Sequence, residues 1–105
     1  MDVSRSMLGT TEVIRLQGRF DYRVRATFQD ATKGAIENTS VREIHIDVGE
    51  VGFVDSAALG MLLLLRDDAK SAGKAVSITR AAEPVMDVFK IARFEKFFTF
   101  SQSAA

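Results

Sequence analysis

The chain of 105 residues has no cysteine, a single proline and a single histidine, and its fourteen basic side chains are matched by fourteen acidic ones. Without cysteine there are no disulfides, no thiolate metal ligands and no cysteine nucleophile, a composition compatible with a reducing cytoplasm. A formal net charge of zero leaves no global field to draw the chain to nucleic acid or to an anionic membrane. Long hydrophobic runs are missing as well. The longest, Ala57 to Leu65 interrupted only by Gly60, falls far short of the roughly 20 residues that cross a bilayer. The opening residues MDVSRSMLGTTEV lack the continuous apolar core of a secretory signal. The expectation is a soluble cytoplasmic protein with no direct nucleic-acid partner and no membrane insertion.

What is present, 47% hydrophobic and 27% charged residues, suits one globular domain whose length allows a single core. Glu12 to Leu16, closed by Gly18, reads as a strand, preceded by a short strand near Asp2 to Leu8 through a Gly9-Thr10 hairpin turn. Asp21 suits the N-cap of a helix in which Val24, Phe28, Ala31 and Ala35 recur at helical spacing, with Arg23, Arg25, Gln29 and Asp30 on the solvent side, until Asn38-Thr39-Ser40 breaks it. In Val41 to Val48, Ile44, Ile46 and Val48 alternate with Glu43, His45 and Asp47, which is strand patterning. Gly49 to Gly52 reads as a loop. A Leu- and Ala-rich helix from Ser56 to about Ala72 ends at Gly73, a short strand covers Lys74 to Thr79, and Pro84 opens a helix with Val85, Val88, Phe89 and Ala92 on its apolar side. Phe97 to Phe100 adds a final strand, and residues 101–105, SQSAA, form a flexible tail. This order predicts an α/β domain: a mixed four- to five-stranded sheet packed with three main helices and joined by crossovers.

Several chemistries lack their parts. A serine nucleophile needs a base and an oxyanion hole, usually on a G-x-S-x-G elbow. Ser56 instead sits in V-D-S-A-A, and the one histidine, His45, lies within a strand. Asp47, Glu50 and Asp55 have neither Ca-loop nor histidine-helix spacing, and Gly49-Glu50-Val51-Gly52 matches neither a dinucleotide fingerprint nor a Walker motif. Arg15, Arg19, Arg23 and Arg25 make a basic cluster that is either a solvated face balanced by nearby acids or a binding patch.

The segment Phe53-Val54-Asp55-Ser56-Ala57-Ala58-Leu59-Gly60 carries the most specific signal. Asp55 and Ser56 are both good helix caps, and one cap is enough, so Ser56 is left with a hydroxyl to display. A phosphoryl group there would meet the positive end of the helix dipole and unpaired N–H groups, so the fold would tolerate it. Its charge of roughly −2 would alter the surface a partner sees. The helix behind is more apolar than a core face requires. With Leu59, Leu62, Leu63, Arg66 and Ala69 as one stripe, Met61, Leu64 and Leu65 point elsewhere. Two readings stand open: a helix buried on most sides, or an exposed apolar docking patch beside Ser56.

This segment resembles the signature of STAS domains of the anti-sigma factor antagonist type: an aspartate-serine pair after a hydrophobic strand, then a small residue, a leucine and a glycine. Val13 to Asp21 resembles the second strand of that family and its glycine-x-x-aspartate turn, and Val85 to Phe94 its last helix. The match covers about residues 10 to 100, within a single domain of 1–105. Family members often carry a second hydroxyl residue and a glycine after the serine, where this chain has Ala57 and Ala58. The resemblance implies a partner-switching protein. Its unphosphorylated form would bind an anti-sigma factor that is also a serine kinase, phosphorylation of Ser56 would release it, and a metal-dependent serine phosphatase would reset it. ATP and metal belong to those partners, and the chain itself is neither an enzyme nor a cofactor carrier. By the same carry-over, Asp55 orients the hydroxyl and caps the helix, and Asp21 lies near it. Gly60 permits close approach, Met61 and Leu64 offer apolar contacts and Arg23 a polar one. The expected assembly is a monomer or weak dimer. The rival reading is a non-switching scaffold or adaptor subunit of a signalling or transporter complex, with Ser56 a simple cap.

Overall fold

Gly9 and Thr10 turn the chain between β1 (Asp2–Leu8) and β2 (Thr11–Phe20), which pair antiparallel along all of β1 in the computed structural model, whose described residues are 1–102. Gly9 has φ +64°, the left-handed conformation that a tight two-residue hairpin turn requires. Every later strand runs parallel to its neighbour, and parallel neighbours need a crossover. Helix α1 (Arg25–Glu37) carries the chain from β2 to β3 (Glu43–Val54), α2 (Ser56–Ser71) from β3 to β4 (Ala75–Thr79), and α3 (Glu83–Ile91) from β4 to β5 (Thr99–Ser101). The strands lie in the order β1-β2-β3-β4-β5. The result is the expected single α/β domain, with five strands and three main helices.

Register explains the core. Ile14, Ile46 and Ile78 lie side by side across β2, β3 and β4, and all three are fully buried. Phe28, Ala31 and Ala35 of α1, and Val85 and Phe89 of α3, close over this apolar side. Phe28 meets Phe20 at 5.0 Å between ring centroids, and Phe89 meets Phe94 at 5.6 Å and Phe100 at 5.4 Å. On the other face, His45 and Asp47 of β3 and Ser77 and Thr79 of β4 are polar yet also buried. Asp47, with no exposed surface, accepts from Arg80 Nη1 at 3.1 Å, Arg15 Nε at 3.4 Å and the Gly49 N–H at 2.9 Å. His45 Nε2 lies 2.9 Å from Glu43 Oε1. Val54 is nine positions along the strand from His45, on the order of 30 Å, so this imidazole cannot act as a base for Ser56.

The structure corrects several boundaries. Gly49 to Gly52, expected as a loop, is strand: β3 continues to Val54 and pairs with β2 as far as Phe20. The pairing steps from Arg15↔Asp47 to Gln17↔Glu50, and from Gly18↔Val51 to Arg19↔Phe53. Each step places an extra residue on β3, so these glycines serve β-bulges and not a loop. At Gly49 the side chain of Arg80 crosses so close that a Cβ would lie 2.9 Å from its Cζ. Asp21 caps a 3-10 turn, Tyr22–Val24, and α1 begins only after it, at Arg25. The final strand starts at Thr99, after a 3-10 turn at Phe94–Lys96. Ser101, assigned to the tail, closes β5, and residues 103–105 of that tail lie outside the described residues.

The apolar run of α2 divides differently from its expected stripe. Ala58, Met61, Leu62, Leu65 and Ala69 are buried, Leu59 and Leu63 are half-buried against the core, and Leu64 is 51% exposed. At about 100° per residue, 58, 61, 62, 65 and 69 fall on one side of the helix. Met61 therefore belongs to the core, 4% exposed, which corrects its expected role as a docking contact. Leu62→Ala is expected to destabilise the domain by about 2–5 kcal/mol, and Leu64→Ala by no more than about 0.5 kcal/mol, as read from urea unfolding.

Candidate functional site

Where β3 gives way to α2, one residue joins three segments. Asp55 keeps an extended backbone, φ −103° and ψ 179°, so it ends the strand and stands just before the first helical residue. Its N–H donates to the Phe20 carbonyl at 3.3 Å, continuing the contact with β2. Its Oδ1 accepts the Ala58 N–H at 2.8 Å, its Oδ2 lies 3.4 Å from the Tyr22 N–H, and its carbonyl accepts the Leu59 N–H at 3.2 Å. This is an N-cap whose second oxygen also reaches the turn before α1.

Ser56 follows as the first residue of α2 and is exposed. Its hydroxyl makes no hydrogen bond among the described residues, because the capping is done by Asp55. First-turn N–H groups have no intrahelical acceptor, and they place partial positive charge beside the hydroxyl. The oxygen is therefore reachable from solvent and set in a field that favours an added anion. Among the described residues, no group of three or more His, Asp or Glu is placed to hold a metal ion, and no helix is long and apolar enough to cross a membrane.

Asp21 lies beside this junction through its neighbours Phe20 and Tyr22, both bonded to Asp55. It is 5% exposed, and its carboxylate accepts the Arg23 N–H at 3.0 Å and Arg23 Nη2 at 2.8 Å, with Arg19 Nε at 3.7 Å. The side-chain hydrogen bonds from Arg23, joined by its backbone N–H and the charges of Arg23 and Arg19, hold the Asp21 carboxyl below its ordinary range. Three of the four arginines in the basic cluster have carboxylate partners inside the chain, Arg15 on Asp47 and Arg23 and Arg19 on Asp21, while Arg25 is exposed at the start of α1. Arg19 also lies over the Phe53 ring, 4.0 Å from its centroid.

Of the residues expected at a partner surface, Asp21, Arg23, Asp55, Ser56 and Gly60 gather at this end. Gly60 sits one turn after Ser56 on the exposed side of α2, and a Cβ there would meet nothing within 4 Å. Among the described residues, nothing demands a glycine at 60. Leu64 lies a further turn along on the α1 side, over a groove of about 390 Å³ that includes Phe28, Ile36, Met61 and Leu65. Met61 faces inward, as above. Tyr22 and Phe53, both exposed, flank the site and were not anticipated. The face of Phe53 depends on the two bulges before it, and that of Tyr22 on the 3-10 turn that precedes α1.

Residues 3–99 match the family model described as Mlab, STAS domain. The chain belongs to the STAS domain family. It is 34% identical over 93 residues to a STAS-domain containing protein of Pseudomonas aeruginosa (strain UCBPP-PA14), covering 89% of this chain and 90% of that one. Its fold is similar to that of the anti-sigma factor antagonist SpoIIAA in its unphosphorylated form, with a TM-score of 0.73 at 20% identity over 99% of this chain and 90% of that one. SpoIIAA, a Bacillus cell fate determinant, is also solved in a phosphorylated form. A sulfate transporter family protein from Wolinella succinogenes shares the fold too, with a TM-score of 0.72 at 12% identity over 88% of this chain and 76% of that one.

Two outcomes are expected of the site itself. Asp55→Ala should cost about 1 kcal/mol through the lost cap, whereas Ser56→Ala should change stability by less than about 0.5 kcal/mol, both by chemical denaturation. Because the folded-state pKa of Asp21 is depressed, its pair with Arg23 contributes fully above the unfolded value of about 3.9 and is lost as pH falls through the folded value. Thermal melts below about pH 4 should therefore show wild type losing more stability on acidification than Asp21→Asn, with the two converging at the acid end.

Proposed function

We propose that this chain is a cytoplasmic anti-sigma factor antagonist that works by partner switching. Unphosphorylated, it binds an anti-sigma factor that is also a serine kinase. The kinase transfers the γ-phosphoryl of ATP to Ser56: a bond forms between phosphorus and the Ser56 oxygen, the β–γ bridge breaks, ADP leaves, and the hydroxyl proton passes to a base on the kinase. The phosphoserine form dissociates, and a metal-dependent serine phosphatase returns it by hydrolysis. The chain is the substrate in both reactions and catalyses neither.

The observation that carries this reading is the division of labour between Asp55 and Ser56. The aspartate takes the Ala58 N–H, so the serine hydroxyl is idle, exposed and set at a helix N-terminus suited to a phosphate. Added charge at that point changes the face carrying Tyr22, Arg23 and Gly60 and leaves the fold intact.

A second reading has its own support. The matched family model is described as Mlab, STAS domain, and a sulfate transporter family protein has the same fold; in that reading the chain is a non-switching adaptor and Ser56 is only the first residue of α2. Titration of variants against the purified kinase partner separates the two. Ser56→Ala should bind as tightly as wild type, and Ser56→Asp at least about tenfold more weakly, equivalent to about 1.4 kcal/mol. Equal affinity of Ser56→Ala and Ser56→Asp would remove the switch and favour the adaptor.

A further inference from the structure

The sheet ends at β1, whose outer backbone edge faces no strand among the described residues. An edge strand presents a row of unpaired N–H and C=O groups, and proteins blunt such edges with short strands, lysines, prolines or bulges. Shortness, lysine, proline and bulge are all missing from β1, whose only charged side chains are Asp2 and Arg5. β1 has seven residues, DVSRSML, without lysine or proline, and pairs with β2 with no break in register. All of it but Val3 is exposed, including Met7 and Leu8 at 45% and 52%. The one cation, Arg5, does not guard the edge. Its guanidinium is drawn onto the Glu12 carboxylate of β2, with Nη2 3.1 Å from Oε1, and it crowds the α1 backbone so that a Cβ on Gly34 would lie 2.9 Å from Cζ.

The strand is also self-complementary. Around Arg5 the sequence Val3-Ser4-Arg5-Ser6-Met7 reads apolar, serine, arginine, serine, apolar in either direction. We propose that β1 is the interface of a weak homodimer, formed by antiparallel pairing with β1 of a second copy about a two-fold axis at Arg5. In that register Val3 stands opposite Met7 of the other copy, and Ser4 opposite Ser6. Apolar and hydroxyl pairs of this kind stabilise antiparallel strands. Arg5 faces its own copy across the axis, and each is paired with its own Glu12, so the charges run Glu12, Arg5, Arg5, Glu12, with the like pair at the centre offset by the flanking carboxylates and keeping the association weak. A two-fold edge contact uses the same patch on both subunits and closes at two, giving one continuous ten-stranded sheet. So narrow a contact buries less than about 1,200 Å², which places the dimer among weak, concentration-dependent ones.

Because the chain has no cysteine, introduced thiols report on register alone. An equimolar mixture of Ser4→Cys and Ser6→Cys should form disulfide-linked dimers several-fold faster than either variant by itself, since only the mixture places thiols directly opposite. Sedimentation equilibrium of wild type should show mass rising from 11.5 kDa toward twice that value with concentration. Met7→Lys should weaken this association about tenfold without lowering the unfolding midpoint. Equal cross-linking rates in all three samples, an unchanged association for Met7→Lys, or a monomer at every concentration up to about 1 mM would overturn the proposal.

Discussion

A single carboxylate holds the functional end of the molecule together. Asp55 accepts the Ala58 N–H at 2.8 Å with one oxygen and approaches the Tyr22 N–H at 3.4 Å with the other. The first bond starts α2, and the second ties that start to the turn leading into α1. Both oxygens are therefore engaged with backbone, and the neighbouring Ser56 hydroxyl has no structural work to do. Exposure, dipole field and freedom from hydrogen bonds at Ser56 all follow from that cap. A serine doing the capping itself would have its oxygen turned into the helix and shielded.

The cap is placed by β3, and β3 is shaped by its bulges. Two extra residues let the strand stay paired with β2 while its face is re-aimed, so that Phe20 and Val54 end side by side just ahead of Asp55. Asp47 anchors the first bulge: it accepts the Gly49 N–H and is clasped by Arg80 and Arg15. A buried, doubly paired carboxylate is a poor source of net stability but a strict positional constraint. Its partners reach it from β2 and from the end of β4, so the central strands are pinned on the side away from the helices. Arg15, Arg19 and Arg23, three of the four arginines that looked like a basic cluster in sequence, are thereby drawn into this scaffold and the Asp21 cap.

Features decided locally were legible in the sequence. The alternation of Ile44, Ile46 and Val48, the helical recurrence of Phe28, Ala31 and Ala35, and the Asp55-Ser56 cap each depend on residues within a few positions of one another. What failed to show depends on distant partners. Gly49 to Gly52 looks like a loop until β2 is laid beside it, because a bulge is a relation between two strands. Five leucines and methionines in a row give α2 no unique stripe; packing against the sheet and α1 chooses Met61, Leu62 and Leu65 for the core and leaves Leu64 outside. The exposure of Tyr22 and Phe53 is not legible in the sequence for the same reason, since each owes its position to an element elsewhere in the chain.

The proposed switch requires phosphorylation at Ser56, and mapping the phosphate tests that most directly. Incubation of the intact protein with its kinase partner and ATP, followed by peptide mass spectrometry, should place a single phosphoryl group on Ser56. Phosphate found only on other hydroxyls, such as Ser40 or Thr99, would contradict it.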